Sequence, residues 1–76
     1  MSRVEEAGTA YAAARDDFDA AQEIANHAEG KRVRNAYYGT RISTEREWMK
    51  FANATKKRDA ALAELLAAVE ELEGEA

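Results

Sequence analysis

The sequence has neither cysteine nor proline among its 76 residues. Without cysteine, disulfides, zinc–thiolate sites and thiol nucleophiles are all excluded. Without proline, nothing in the composition interrupts a long helix. Alanine, by contrast, supplies 18 residues, and together with many Glu, Arg, Lys and Leu residues it favours helix and argues against a sheet. The composition predicts an all-α protein.

Long apolar runs and catalytic motifs are also missing. No stretch of about 18 apolar residues is present to span a bilayer, and the start, MSRVEE, is acidic where a secretory signal would be basic and then apolar. A soluble cytoplasmic protein with no membrane partner is expected. Serine occurs only at Ser2 and Ser43, and no glycine-rich phosphate loop or nucleophile motif appears. We therefore expect a protein without enzymatic activity or a cofactor.

The single histidine, His27, lies one helical turn after Glu23. Metal-binding helical bundles use Glu-x-x-His twice, together with further glutamates. Here the spacing is Glu-x-x-x-His and it occurs once. We therefore interpret His27 as an ordinary surface or interface residue and predict no metal site.

The first half of the chain has the apolar pattern of a helix over about residues 3–29. Ser2 and Glu5 fit a capping box at its start. Apolar residues then recur at the alternating spacing of three and four that is typical of a helix–helix seam. This first seam comprises Val4, Ala7, Tyr11, Ala14, Phe18, Ala21, Ala25 and Ala28. Gly30 suits a helix stop, but the sequence equally allows the helix to continue to Tyr38.

The second half predicts another helix, over about residues 44–73. Thr44 and Glu47 form a second possible capping box. The same three–four spacing follows at Trp48, Phe51, Thr55, Arg58, Leu62, Leu65, Val69 and Leu72. The chain therefore predicts one domain, an antiparallel helical hairpin resembling a coiled coil, with a basic-aromatic turn at residues 30–43.

Folding one helix back on the other suggests a register in which partner residue numbers sum to about 73. Trp48 then meets Ala25, and Leu62 meets Tyr11, so large side chains oppose small or complementary ones. The same register brings acidic residues of the first helix near basic residues of the second. These are Asp16, Asp17 and Asp19 near Lys56, Lys57 and Arg58, and Glu23 near Lys50. Two features fit poorly: Arg58 lies on the seam, and acidic side chains of both helices gather at the open end.

Two helices bury only one stripe each, which leaves apolar residues such as Ile24, Met49 and Leu66 for a further contact. Charge is also segregated, since residues 31–58 carry nine basic and two acidic side chains, whereas residues 59–76 carry six acidic and none basic. A second hairpin packed head to tail would cover the apolar residues and match the charges. We therefore predict an antiparallel homodimer, a four-helix bundle.

The basic-aromatic stretch KRVRNAYYGTR is the strongest functional signal. It holds four of the eleven basic residues and two of the three tyrosines. The predicted partner-binding residues are Lys31, Arg32, Arg34, Tyr37, Tyr38 and Arg41. We predict a protein-binding module, an adaptor or an inhibitor of a larger protein. Two alternatives remain open: these residues bind nucleic acid or a phosphorylated ligand such as a nucleotide, or the chain is a structural assembly unit.

Overall fold

The computed structural model describes residues 2–75. These residues form two long helices joined by a short loop. Helix α1 spans Arg3–Tyr38 and helix α2 spans Glu45–Glu75. At 1.5 Å per residue these helices are about 54 and 46 Å long, and the molecule measures 61 × 17 × 14 Å. Residues 2–75 contain no strand, so the predicted all-α helical hairpin is confirmed. No helix in this part of the chain is long and apolar enough to cross a membrane.

Helix α1 continues well past the predicted end at residue 29. The hydroxyl of Ser2 accepts a hydrogen bond from the Glu5 amide at 3.1 Å, as the capping box predicts. At the other end Gly39, with a φ of 69°, takes the left-handed conformation that closes the helix. Gly30 lies inside the helix, so the alternative that extends to Tyr38 is correct and the predicted turn at 30–43 is too long. The connecting loop is residues 39–44.

Alanine side chains form the centre of the contact between the helices. Among residues 2–74 the five buried apolar residues are all alanines, namely Ala21, Ala25, Ala28, Ala54 and Ala68. The first three belong to the predicted seam of α1, whose other members are all at least half-buried. Alanines of both helices thus form the buried part of the interface, and the half-buried rings of Phe18 and Phe51 pack beside them.

The seam of α2 differs from the prediction. Beyond its first turn, the buried and half-buried residues of α2 are Phe51, Ala54, Thr55, Arg58, Ala61, Leu65, Ala68 and Val69. We call six of them the contact seam: Phe51, Ala54, Arg58, Ala61, Leu65 and Ala68. The predicted seam members Trp48 and Leu62 are instead 38% and 36% exposed. The prediction placed large side chains against the alanines of α1. That was wrong for Trp48 and Leu62, because α2 turns Ala54, Ala61 and Ala68 into the interface together with Phe51 and Leu65.

The register of the hairpin lies close to the predicted one. At the open end Arg3 pairs with Glu71 at 2.6 Å, and near the loop Lys31 pairs with Glu47 at 2.8 Å. In the middle the rings of Phe18 and Phe51 lie 5.4 Å apart. Of the ion pairs predicted along the centre, none lies within 4 Å in the described part of the chain. The ion pair of Arg3 with Glu71 reduces the repulsion between acidic side chains at the open end, and the prediction had not included Arg3.

Arg58 occupies its seam position by stacking. Its guanidinium lies 4.0 Å from the centroid of the Phe18 ring, where the π face attracts a cation. The same guanidinium donates to Asp59 Oδ1 from Nη2 at 3.1 Å. A charged residue on the seam is therefore accommodated by an aromatic face and a neighbouring carboxylate.

The hairpin exposes more surface than a compact protein of its size. Its accessible area is 5982 Å², whereas a folded monomer of this mass exposes about 4600 Å². The radius of gyration is 17.6 Å, against about 11 Å for a compact domain of this length. About 1400 Å² of surface is thus exposed beyond the usual amount.

Candidate functional site

The candidate site is the loop end, which we define as residues 31–50. It combines the last two turns of α1, the connecting loop and the first turn and a half of α2. Five of the six predicted partner-binding residues lie on α1, not in a turn, and only Arg41 lies in the loop. The helix therefore holds most of these side chains at fixed spacing.

Asn35 ties the loop to the end of α1. Its Oδ1 accepts hydrogen bonds from the Ile42 amide at 3.1 Å and from the Thr40 hydroxyl at 2.7 Å. Its Nδ2 donates to the Ile42 carbonyl at 2.8 Å. One side chain thus satisfies the backbone of Ile42 in both directions, which fixes the path of the loop across the helix end.

A second link joins the two helices beside the loop. Lys31 Nζ donates to Glu47 Oε1 at 2.8 Å, and the side chain of Glu47 is 22% exposed. This hydrogen bond, aided by the backbone amide at the start of α2, lowers the pKa of the Glu47 carboxyl below its ordinary value. The predicted capping role of Glu47 with Thr44 gives way to this contact, although α2 does begin directly after Thr44.

Two of the four predicted cations are therefore occupied within the chain. Besides Lys31, Arg32 Nη2 donates to Glu29 Oε1 at 2.8 Å, and that bond raises the pKa of the Arg32 guanidinium. Arg34 and Arg41 are exposed and have no ion-pair partner within the residues that the structure covers. The positive charge available to a ligand is accordingly smaller than the sequence suggests.

Exposed apolar and aromatic side chains are concentrated at the loop end. Tyr37 and Tyr38 are 81% and 72% exposed, and their rings meet edge to face with centroids 4.8 Å apart. Of the nine large hydrophobic residues that are exposed, six lie here: Val33, Tyr37, Tyr38, Ile42, Trp48 and Met49. Large exposed apolar patches are common at interaction sites, which makes the loop end the candidate site.

Trp48 belongs to this cluster, although the sequence suggested a core position. Its ring packs edge to face on Phe51 with centroids 6.4 Å apart. The remaining 38% of the residue faces solvent. Trp48 therefore borders both the hairpin core and the exposed surface.

The residues predicted to mediate self-association do not share one face. Ile24 lines a groove with Lys50, Asn53 and Lys57, and these three precede contact-seam residues by one position. Leu66 follows a contact-seam residue by one position, and successive helix residues are 100° apart. Ile24 and Leu66 therefore lie on opposite sides of the hairpin, with Met49 on the outer side of α2.

Within residues 2–75 no group of three or more His, Cys, Asp or Glu side chains is placed to hold a metal ion. Glu23 and His27 are both exposed on α1.

Sequence reasoning missed Asn35 and the Lys31–Glu47 link. Asparagine is a poor helix former that readily bonds to nearby backbone, so its position four residues before Gly39 was the available signal. The Lys31–Glu47 contact depends on the three-dimensional course of the loop, which no local pattern contains.

Comparisons of the chain with protein-family models, with curated proteins and with solved structures find no match.

Proposed function

We propose that this protein is a small non-enzymatic binding module that attaches to a larger protein through its loop end, as an adaptor or an inhibitor. The observation that carries the proposal is the concentration of exposed large hydrophobic residues at residues 33–49. Tyrosine, tryptophan and arginine dominate the energetics of protein interfaces. At the loop end Tyr37 and Tyr38 form the last turn of α1, close in the chain to Arg34 and Arg41, which have no ion-pair partner within residues 2–75.

The same end is less suited to the alternative, a nucleic acid or phosphorylated ligand. Lys31 and Arg32 are already paired with carboxylates, so only part of the basic cluster remains to neutralise phosphates. The tyrosine rings meet edge to face, whereas base stacking uses open ring faces. The protein as a whole carries a net charge of −4, which repels polyanions.

A capture experiment with matched variants tests the proposal. The protein is immobilised through its C-terminal end, so that the loop end points outward, and bound protein, nucleic acid and nucleotides are identified separately. We expect a specific protein to be retained by the wild type and lost with the Tyr37→Ala/Tyr38→Ala double variant. The control Glu64→Ala, at the open end, should retain it.

Salt dependence separates the two ligands. A protein partner held by aromatic contacts should bind with mild salt dependence, and Lys31→Ala should weaken it less than the tyrosine variant. A phosphate ligand would show log K falling by about 0.7–0.9 per phosphate as log salt rises. Recovery of nucleic acid or nucleotide with that steep slope, and no protein, would overturn the proposal.

We further propose that two hairpins associate head to tail into a dimeric four-helix bundle. Three observations support this: the core contains only alanine, the exposed area exceeds the usual value by about 1400 Å², and charge is segregated along the rod. Residues 24–50 carry six basic and three acidic side chains, whereas residues 59–75 carry six acidic and none basic. A standard interface buries about 800 Å² per partner, which the excess area can supply.

Sedimentation analysis of the pure protein tests this assembly. We expect a species of twice the chain mass of 8.4 kDa at micromolar concentration. A monomer that persists into the millimolar range would refute the dimer. Continued growth beyond the dimer, with no other ligand captured, would favour the assembly-unit alternative.

A further inference from the structure

Helix α2 carries a second apolar seam that the hairpin covers only in part, since Thr55 and Val69 are half-buried and the other members are exposed. All its members except Trp48 follow a contact-seam residue by one position and therefore lie 100° around the helix from it. This outer seam comprises Trp48, Ala52, Thr55, Leu62, Leu66 and Val69. Leu66 is 55% exposed and Leu62 36% exposed. With Asp59 counted between Thr55 and Leu62, the spacing alternates between four and three, which is the pattern of a helix that packs against another helix.

The geometry points to the outer seam of a second copy of this chain as the occupant, with the two α2 helices antiparallel about a twofold axis near Asp59. This inference rests on the proposed dimer and specifies its interface. The midpoint of the outer seam falls at Asp59, so the seam can pair with itself.

Self-pairing matches large residues with small or complementary ones. In the antiparallel arrangement Ala52 of one copy meets Leu66 of the other, and Thr55 meets Leu62. At the ends Trp48 meets Val69. Large side chains thus oppose smaller ones along the whole seam, as close packing requires.

Charge selects the antiparallel over the parallel orientation. Residues 45–58 of α2 carry five basic and two acidic side chains, and residues 59–75 carry six acidic and none basic. Antiparallel helices bring each cationic half against an anionic half, whereas parallel helices would bring like charges together. Like-charge juxtaposition disfavours the wrong pairing.

Asp59 is the one charged residue in the middle of the outer seam. Its carboxylate accepts hydrogen bonds from Nε and Nη2 of Arg58 at 3.3 and 3.1 Å. Arg58 is in turn held over the Phe18 ring. Each copy thus brings a paired charge to the axis, and a single polar residue in an apolar seam fixes register at some cost in stability.

Cross-linking tests the register directly, because the native chain has no cysteine. Single cysteines are introduced as Asp59→Cys, Ala52→Cys and Leu66→Cys, and treated with a bis-maleimide matched to the interhelical distance of about 8–10 Å. We expect Asp59→Cys to link to itself. Ala52→Cys should not, because its two copies are about 21 Å apart along the axis. A mixture of Ala52→Cys and Leu66→Cys should link across the two variants.

Substitutions at two neighbouring residues test whether the outer seam is the face of α2 that forms the dimer. Leu66→Glu places a charge in the outer seam, and Ala67→Glu places the same charge one residue later, 100° around the helix. By sedimentation, we expect Leu66→Glu to weaken dimerisation at least tenfold and Ala67→Glu to leave it within about twofold. Circular dichroism of each variant checks that the hairpin remains helical.

Each result decides between distinct accounts. A dimer that survives Leu66→Glu, with no Asp59→Cys product, would retain the proposed dimer and overturn this interface. Self-linking of both Asp59→Cys and Ala52→Cys would show parallel helices and overturn the orientation. A monomeric wild type would overturn both dimer and interface and assign the outer seam to a different protein, while leaving the loop-end proposal to its own test.

Discussion

Asn35 shows how one side chain determines the shape of the loop end. It bonds to both backbone groups of Ile42 and to the Thr40 hydroxyl. These contacts help explain why α1 continues past Gly30, since they give the last two turns of the helix a tertiary partner. The helix propensity of residues 31–38 alone would not give these turns a tertiary partner.

Replacing Asn35 by alanine should destabilise the hairpin by about 1–2 kcal/mol, because a net hydrogen bond contributes about 0.5–1.5 kcal/mol and the backbone of Ile42 loses its partner. Urea denaturation followed by circular dichroism measures the change. The matched control is Asn26→Ala, an exposed asparagine of the same helix, for which a change within about 0.5 kcal/mol is expected. If the two variants changed the free energy of unfolding equally, Asn35 would not anchor the loop.

Glu47 makes the link to Lys31 dependent on pH. Its pKa is lower in the folded than in the unfolded chain, so its contribution to stability is present above its ordinary pKa of about 4.3. That contribution is lost as the pH falls through the lower, folded value. We expect Glu47→Gln to have a lower Tm than the wild type at pH 7, and the difference to shrink below pH 4. A difference in Tm that stays constant from pH 7 to pH 3 would contradict the link.

The two helices and their pairing could be predicted from the sequence, but the rotation of α2 could not. The three–four spacing and the capping residue Ser2 indicate the helices, and the charge pattern indicates the antiparallel register. On α2, however, two adjacent seams carry apolar residues, and the spacing alone does not say which faces α1. In the structure Ala54 and Ala68 are buried and Phe51 and Leu65 half-buried, and this packing depends on the whole interface and not on local spacing.

The site was predicted in outline for a similar reason. A basic and aromatic surface is predicted by the segment KRVRNAYY, and in the structure this segment forms the last two turns of α1 at the loop end. Which cations remain unpaired depends on contacts with Glu29 and Glu47. The position of Ile24 away from Leu66 depends on the same rotation of α2.

The glycines of α1 provide a test of where this helix ends. Gly30 lies within the helix and a Cβ there meets nothing within 4 Å, so Gly30→Ala should stabilise the protein by about 0.5–1 kcal/mol. Gly39 has a positive φ of 69°, so Gly39→Ala should destabilise it by about 1 kcal/mol. Thermal denaturation should show Tm shifts of opposite sign, about 2–8 °C each. A lower Tm for Gly30→Ala would instead place the end of the helix at residue 30.

At the scale of the whole molecule, charge segregation makes the proposed assembly sensitive to salt. The loop end is cationic and the open end anionic, and screening is nearly complete beyond about 3 Å at 1 M salt. We expect the dimer dissociation constant to rise about threefold to tenfold between 0.05 and 0.5 M NaCl. Sedimentation at several salt concentrations measures it. Tighter association at high salt would show that apolar burial alone holds the copies together.

The central claim is that the hairpin, with only alanine at its core, is completed by a second copy. The most direct test is the thermal unfolding of the wild-type protein over a hundredfold range of concentration. Because a folded dimer is favoured by mass action, the account predicts that Tm rises by about 4 °C for each tenfold increase in concentration. A cooperative transition at the same Tm throughout that range would show a hairpin stable by itself and would contradict the account.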